Sequence, residues 1–300
     1  MMQQHLKAPV ATSPILRGAL CALGASLMMA LMGGAVRMAS TEIPNEMVVF
    51  LRNAFGLLAL WPWIRRVGLS GLATDQWPGH LLRSLTGLSA MYCFFYAIAR
   101  LDLAQAVLLN FSAPLYIAPI AWLWLGEAIT GRLMLSAVIG FAGVVLILKP
   151  GTAPFSMDAA IGAFSGLLAA VAMVSLRSMA PSEPPVRAVV YFSAIGTVVS
   201  AVPLIWAWET PALFTLLIMG AAGIFATLGQ ILLTTGYLLA PAARVGPYTY
   251  STVIFATLIG WIFWHEVPDR MSTAGALLVC LAGILAVARG KAPQIEYPAT

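Results

Sequence analysis

Residues 108–127 read LLNFSAPLYIAPIAWLWLGE, with Pro114 and Pro119 five residues apart and no charge between Asp102 and Glu127. In a helix in water each proline costs about 3 kcal/mol, because it removes a backbone donor and collides with the preceding turn. Lipid-embedded helices tolerate proline when neighbours or cavity groups satisfy the freed carbonyls, here those of Asn110 and Leu115. The stretch therefore reads as a membrane-spanning helix, bent at its prolines.

Composition points the same way. Of the 300 residues, 61% are hydrophobic and only 9% are charged, where a soluble domain averages about 25% charged. Such a chain cannot cover its own surface with polar groups, so its solvent is mostly lipid. The formal net charge of +5 would suggest nucleic acid for a soluble chain. In a membrane its distribution matters instead, and no nucleic-acid partner is expected. Cys21, Cys93 and Cys280 lie far apart in apolar runs, without a CxxC or Cys/His cluster. They read as packing residues, and neither metal nor cofactor is expected. The first apolar run is 19 uncharged residues between Arg17 and Arg37. It is long enough to stay as a span, and no A-x-A cleavage site follows it at once.

Spans need about 20 residues each to cross roughly 30 Å of hydrocarbon. Uncharged runs place them near 16–38, 46–65, 80–100, 102–125 and 132–149, then 157–178, 187–208, 212–238, 243–264 and 271–289. The fold expected is all-α, a polytopic membrane protein with ten transmembrane helices. An even number puts both termini on one side. With the N-terminus cytoplasmic, Lys7, Arg17, Arg65, Arg66, Arg83, Arg132, Arg177, Arg187, Arg244, Arg289 and Lys291 fall inside, 11 of the 16 basic residues. Arg37, Arg52, Arg100, Lys149 and Arg270 fall outside. The excess of basic residues on the cytoplasmic side gives both termini as cytoplasmic.

The two halves align. LAQAVLLNFSAPLYIAPIAWLWLGE (103–127) lies against AARVGPYTYSTVIFATLIGWIFWHE (242–266), matching Glu127 with Glu266, Trp122 with Trp261, Ser112 with Ser251 and Phe111 with Tyr250. One inserted residue later, FAGVVLILK (141–149) meets LAGILAVAR (281–289). Five spans per half is odd, so residues 1–150 and 151–300 form repeats inserted in opposite senses, a transporter signature with the solute site near the midplane between them.

These features resemble EamA-type members of the drug/metabolite transporter superfamily. The motifs are an apolar-aromatic run ending in Gly126-Glu127 or His265-Glu266, then a helix with an AG step, over essentially residues 16–290. Within it the chain is most similar to the YddG-like group of aromatic amino acid and metabolite exporters. The second half departs with His265 where glycine is usual, which puts the tightness of that helix end in question. The resemblance implies a basket of spans 1, 3, 4, 6, 8 and 9 around a central cavity, with spans 5 and 10 peripheral.

Polar groups within hydrocarbon are costly and therefore informative. Tyr92 and Tyr96 share a helix face in span 3; Asn110 and Tyr116 lie in span 4; Gln230 and Thr234 in span 8; Tyr248 and Tyr250 in span 9. If the basket holds, these make an aromatic, neutral, hydrogen-bonding chamber. The alternative is that Ser89, Ser112, Ser251 and Thr234 bond back to their own helices while tyrosines sit at the interfaces. The nine tryptophans fall mostly at span ends, as an aromatic belt does. Met28, Met29 and Met32 read as packing, or as an adaptable face suited to varied solutes. Arg52 reads as the only charge more than one turn inside a span. It pairs with Glu46 or Glu42 at the outer mouth, attracts a solute carboxylate, or snorkels.

No carboxylate stands at mid-depth, which argues against proton-coupled export of lipophilic cations and for neutral or zwitterionic solutes. An intramembrane enzyme would need a base with a nucleophile or metal ligands at matched depth, yet His5, His80 and His265 all lie at termini or span ends. A sugar-phosphate or lipid-linked carrier would need several buried basic residues, and only Arg52 qualifies. The reading is a secondary exporter of small metabolites, aromatic amino acids among them, in the inner membrane. It works by alternating access with Pro114 and Pro119 as a hinge, as a monomer or weak homodimer with a small-molecule substrate and the bilayer as partners.

Overall fold

The computed structural model describes residues 14–68, 70–126, 131–148, 156–179, 183–239 and 246–287, and among these the only regular structure is helical. Hydrocarbon offers no partner to a backbone N–H or C=O, so an apolar chain must satisfy those groups within its own helices. In order they are α1 (Pro14–Ala39), α2 (Asn45–Val67), a 3-10 turn (Ser70–Leu72), α3 (Trp77–Arg100), α4 (Leu103–Asn110), α5 (Ala113–Leu125) and α6 (Gly131–Leu148). The second half gives α7 (Met157–Met179), α8 (Pro185–Ala201), the short α9 (Leu204–Ala207), α10 (Leu213–Leu239), a 3-10 segment (Gly246–Tyr250), α11 (Ser251–Trp264) and α12 (Arg270–Val287).

Among the described residues five helices are each long and apolar enough to cross a membrane: α1, α2, α3, α7 and α10. A sixth crossing arises if Leu103–Ile117 and Pro119–Leu125 are one span, bent by 41°. The outer surface is apolar, with Ile205 84% and Leu123 75% exposed, and Trp61, Trp77, Trp122, Trp206 and Trp261 are all exposed near helix ends. This is a multi-pass membrane protein.

Packing follows a two-fold pattern. α1 lies along α10 as α3 lies along α7; α2 meets α10 as α8 meets α3; α11 meets α1 as α4 and α5 meet α7. Three further contacts, α2 with α8, α6 with α12 and α4 with α11, map onto themselves when the halves are exchanged. Direction also reverses. Arg37, at the end of α1, donates to the Leu101 carbonyl just past α3. Asp158, at the start of α7, accepts from Tyr96 near that same end of α3 at 3.0 Å. α1 therefore finishes where α7 begins, and the two run oppositely. The boundary expected at residue 150 lies outside the described residues.

The fourth span is not one continuous helix. Phe111 and Ser112 interrupt it between α4 and α5, and Ser112 Oγ donates to the Leu109 carbonyl at 2.6 Å. At the aligned position the 3-10 segment ends at Tyr250, and Ser251 Oγ donates to the Tyr248 carbonyl, also at 2.6 Å. The Phe111 and Tyr250 rings lie 6.3 Å apart, as residues beside a two-fold axis do. The prolines are not shared between halves, but the break is. The helix expected near 187–208 is also shorter than the uncharged run, since Pro203 follows the end of α8 and opens α9.

Helix ends match as well. Gly126 closes α5 at φ 68° and His265 closes α11 at φ 55°, both left-handed. Among the described residues His265 is the only non-glycine with positive φ, a conformation costing roughly 1–2 kcal/mol with a Cβ present. The close ending is kept despite the histidine, and the strain is carried there. In the AG step, a Cβ on Gly143 would stand 2.8 Å from the Gly275 carbonyl oxygen of α12, so the α6–α12 contact depends on that residue being glycine. In detergent, His265→Gly is expected to raise the unfolding temperature, by a stability gain of about 1 kcal/mol. Gly143→Val is expected to lower it through overpacking worth roughly 1–3 kcal/mol. Tryptophan fluorescence on heating measures both.

Candidate functional site

The charges decide where the site lies. A cavity of about 170 Å³ sits between α1, α2, α3, α4, α7, α8 and α10. Its apolar wall is soft and aromatic: Met29 and Met32 from α1, Met91, Phe94 and Phe95 from α3, Met173 from α7 and Phe192 from α8. Methionine's unbranched, polarizable chain adapts to differently shaped solutes. The polar wall is Arg52, Arg83, Asn110 and Gln230. A larger cavity, about 330 Å³, opens between α4, α11 and α12 beside Gln105, Thr257 and Ser272. It has no buried charge in its lining, and we take the smaller cavity as the site for that reason.

Two arginines face this cavity against one ring. The Arg83 guanidinium carbon is 4.6 Å from the Phe192 ring centroid, and that of Arg52 is 5.9 Å away. Arg52 is 7% exposed and donates to Asn53 Oδ1 at 3.1 Å. The Nε atoms of both arginines are buried without a hydrogen-bond partner. Among the described residues no carboxylate pairs with either. Glu42 instead accepts from Thr215. The expected ion pair of Arg52 with Glu42 or Glu46 is absent.

Arg83 is the cavity residue that the sequence reading did not single out. The sequence put it among cytoplasmic end charges, six residues into α3, yet it lines the central cavity. Arg52 is thus not the only charged residue in the cavity wall. The one signal available was Gly87, a turn further on: Arg83 Nη1 lies 2.6 Å from where a Cβ on Gly87 would be. Phe192, the ring both arginines share, gave no signal.

The other candidates divide. Asn110 and Gln230 line the cavity. Asn110 Nδ2 donates to Ser165 Oγ at 3.0 Å, whereas the Gln230 amide makes no hydrogen bond among the described residues. Tyr96 points to the end of α3, donating to Asp158 beneath the Arg100 guanidinium, which is 3.9 Å from its ring centroid. Tyr92 is half-buried in the core with its hydroxyl unpartnered. Tyr250 is buried beside Phe111, Tyr248 is 42% exposed, and Tyr116 is half-buried; none of the three lines this cavity. The side chains of Thr234 and Pro114 lie outside the described residues, and Pro119 is exposed at the 41° bend. Ser89 is exposed, while Ser112 and Ser251 bond back to their own helices.

Two polar clusters close the ends of the bundle. They sit at opposite ends of α3, whose 24 residues rise about 36 Å. Where α3 finishes, Arg37 Nη2 lies 2.5 Å from Glu266 Oε1, the Leu103 N–H donates to Glu266 Oε2 at 2.8 Å, and the guanidinium covers Trp264. This ties α1, α4 and the end of α11 together. Burial pushes the Glu266 carboxyl above its ordinary value, against the pull of the Leu103 N–H and Arg37. Where α3 starts, Glu183 accepts from Thr74 and from Arg187 Nη1 at 3.1 Å, with His80 Nε2 3.3 Å away. Arg187 Nε also donates to the Gly71 carbonyl, Tyr191 OH donates to the Leu72 carbonyl, and His80 stacks on Tyr191 at 4.4 Å. Burial alone would raise the Glu183 carboxyl, but the hydrogen bonds from Thr74, His80 and Arg187 hold it below its ordinary value.

Comparison with known proteins gives the family. Residues 16–149 and 159–288 each match the model of the EamA-like transporter family. The pseudopaline exporter of Pseudomonas aeruginosa is 34% identical over 272 residues, covering 89% of this chain and 94% of its own. The S-adenosylmethionine uptake transporter of Rickettsia bellii is 25% identical, covering 82% and 85%. The riboflavin transporter of Vibrio cholerae is 24% identical, covering 89% and 91%. A crystal structure of a protein superposes with a TM-score of 0.63 at 19% identity, over 90% of this chain and 96% of the other; that likeness is one of fold alone. The solutes in these relatives' names are not aromatic amino acids.

The Glu183 cluster has a signed pH dependence. A carboxylate whose folded value is lowered stabilises fully above the unfolded value near ~4.3, and the gain is lost as pH falls through the folded value. Glu183→Gln is expected to lower the unfolding temperature by a similar amount from pH 8 to pH 5. That gap between wild type and variant should narrow below about pH 4, where the wild-type carboxylate also protonates. Parallel melts of the two proteins across pH measure it.

Proposed function

The chain belongs to the EamA-like transporter family, and on that premise we propose that it is a secondary transporter that exports small metabolites by alternating access. The observation that carries this is the central cavity, walled by α1 and α10 on one side and α3 and α7 on the other, between polar clusters at either end. Family membership and the relatives' names speak for transport and not for catalysis.

In this reading the helices make ten crossings in two inverted repeats of five, with both termini cytoplasmic and the bilayer the inner membrane. α4 and α5 form the fourth crossing, and the 3-10 segment with α11 forms the ninth. The Arg37–Glu266 cluster then closes the external end, and the Glu183 cluster closes the cytoplasmic end. Each lies between elements of different halves, or of helices that must separate for a solute to pass. The bend at Pro119 gives the fourth crossing a point about which to move. Amino-acid-like zwitterions, aromatic ones among them, fit a wall of methionines and phenylalanines with the free Gln230 amide. A second reading, a carrier of phosphate-bearing solutes, gains from Arg83 lining the cavity beside Arg52, since it needs more than one basic residue.

Purified protein in liposomes preloaded with unlabelled amino acid is expected to accumulate labelled amino acid by counterflow, across a panel that includes the aromatic ones. Accumulation no greater than in empty liposomes across the panel contradicts the substrate. Replacing Arg37 and Glu266 with cysteine and bridging them with a thiol crosslinker is expected to stop exchange, with reduction of a cleavable linker restoring it. Full exchange in the crosslinked protein contradicts the opening of that end.

A further inference from the structure

Two guanidinium groups face one small cavity with no carboxylate to balance them among the described residues. A charged side chain at membrane depth costs several kcal/mol even with snorkelling and local water, and leaving it without a counter-ion costs more than removing it would. Structural arginines in such places find a carboxylate, as Arg37 does with Glu266 and Arg187 with Glu183. Arg52 and Arg83 do not. Instead they stack on one phenyl ring, with their Nε atoms buried and unsatisfied. The guanidinium of Arg83 is accommodated over Gly87, where any larger residue would meet it.

On the reading of this cavity as the transport site, we infer that the carried solute bears a carboxylate held between Arg52 and Arg83. The planar fork of a guanidinium matches two carboxylate oxygens, and its hydrogen bonds to a carboxylate are among the strong ones. The solute brings the counter-ion that the protein omits, so occupancy relieves a cost that the empty cavity carries. Its apolar part lies against Met29, Met91 and Phe94, and Gln230 meets a further polar group. Neutral solutes leave both cations unbalanced and are rejected. Lipophilic cations are repelled outright.

The test uses four probes with one ring and different charge: N-acetylphenylalanine, N-acetylphenylalaninamide, phenylalaninamide and phenyl phosphate. Thermal stabilisation of the detergent-solubilised protein reads binding, and counterflow of labelled N-acetylphenylalanine in liposomes reads transport. The acid is expected to stabilise the protein, and the two amides to have no effect at equal concentration. Arg52→Gln and Arg83→Gln are each expected to raise the half-saturating concentration of the acid about tenfold or more. Their unfolding temperatures without probe should equal or exceed that of the parent, because each removes a charge, buried at Arg52 and half-buried at Arg83, that no carboxylate balances among the described residues. A fall in that temperature, restored by Arg→Lys at the same position, marks the arginines as structural and overturns the inference. So does equal stabilisation by acid and amide, no stabilisation by the acid, or stabilisation by phenyl phosphate alone. Arginine-dependent binding of the acid without counterflow keeps the carboxylate site and removes the transport reading. Counterflow of labelled N-acetylphenylalaninamide by the parent protein, as fast as that of the acid, keeps transport and removes the carboxylate site.

Discussion

Hydrocarbon will not hydrogen-bond to a peptide or solvate a charge, and most of this structure follows from that constraint. Each backbone donor needs an acceptor in its own helix, so the described chain is helical even where Pro114, Pro119 and Pro203 disturb it. Where the ladder fails, side chains help to close it: Ser112 and Ser251 donate to carbonyls three residues back, at aligned places in the two halves. Lipid gives apolar side chains no reason to leave it, so helices associate through close contact instead. Gly143 lets α6 reach the backbone of α12.

The same constraint sorts the charges. At the two ends of α3, carboxylates and arginines pair within clusters that join several elements, Glu266 with Arg37 and Glu183 with Arg187. Between them, Arg52 and Arg83 stand about a cavity of methionines and phenylalanines with no carboxylate partner among the described residues. Balanced ends and an unbalanced centre suit a protein whose central charge is completed by something that comes and goes. The end clusters then hold the helices together until the ends part.

Much of this was legible in the sequence. Composition and uncharged run lengths give a helical membrane protein, and alignment of 103–127 with 242–266 pairs Phe111 with Tyr250 and Ser112 with Ser251. These signals are legible because they depend on chemistry summed over a span, or on residues repeated at fixed spacing. The site was less legible. Asn110, Gln230 and Arg52 were singled out and line the cavity, whereas Tyr96 and Tyr248 were singled out and do not. Depth along a helix can be read from distance to the nearest charge, but the face a residue presents is set by its neighbours. Arg83 was missed for that reason. Six residues into α3 it looked like an end charge, and only the packing of Phe192 and Gly87 turns it inward.

Alternating access is the claim on which the functional account stands, and it requires the two end clusters to part in turn. Pulsed electron spin resonance on the protein in lipid nanodiscs measures this with two label pairs. One pair, at Thr41 and Val267, spans the Arg37–Glu266 end, and the other, at Asp75 and Pro184, spans the Glu183 end. The account predicts two distance populations for each pair, with added solute shifting the pairs in opposite senses, one shortening as the other lengthens. Single, unchanging distances at both ends, or two pairs that lengthen together, would contradict it.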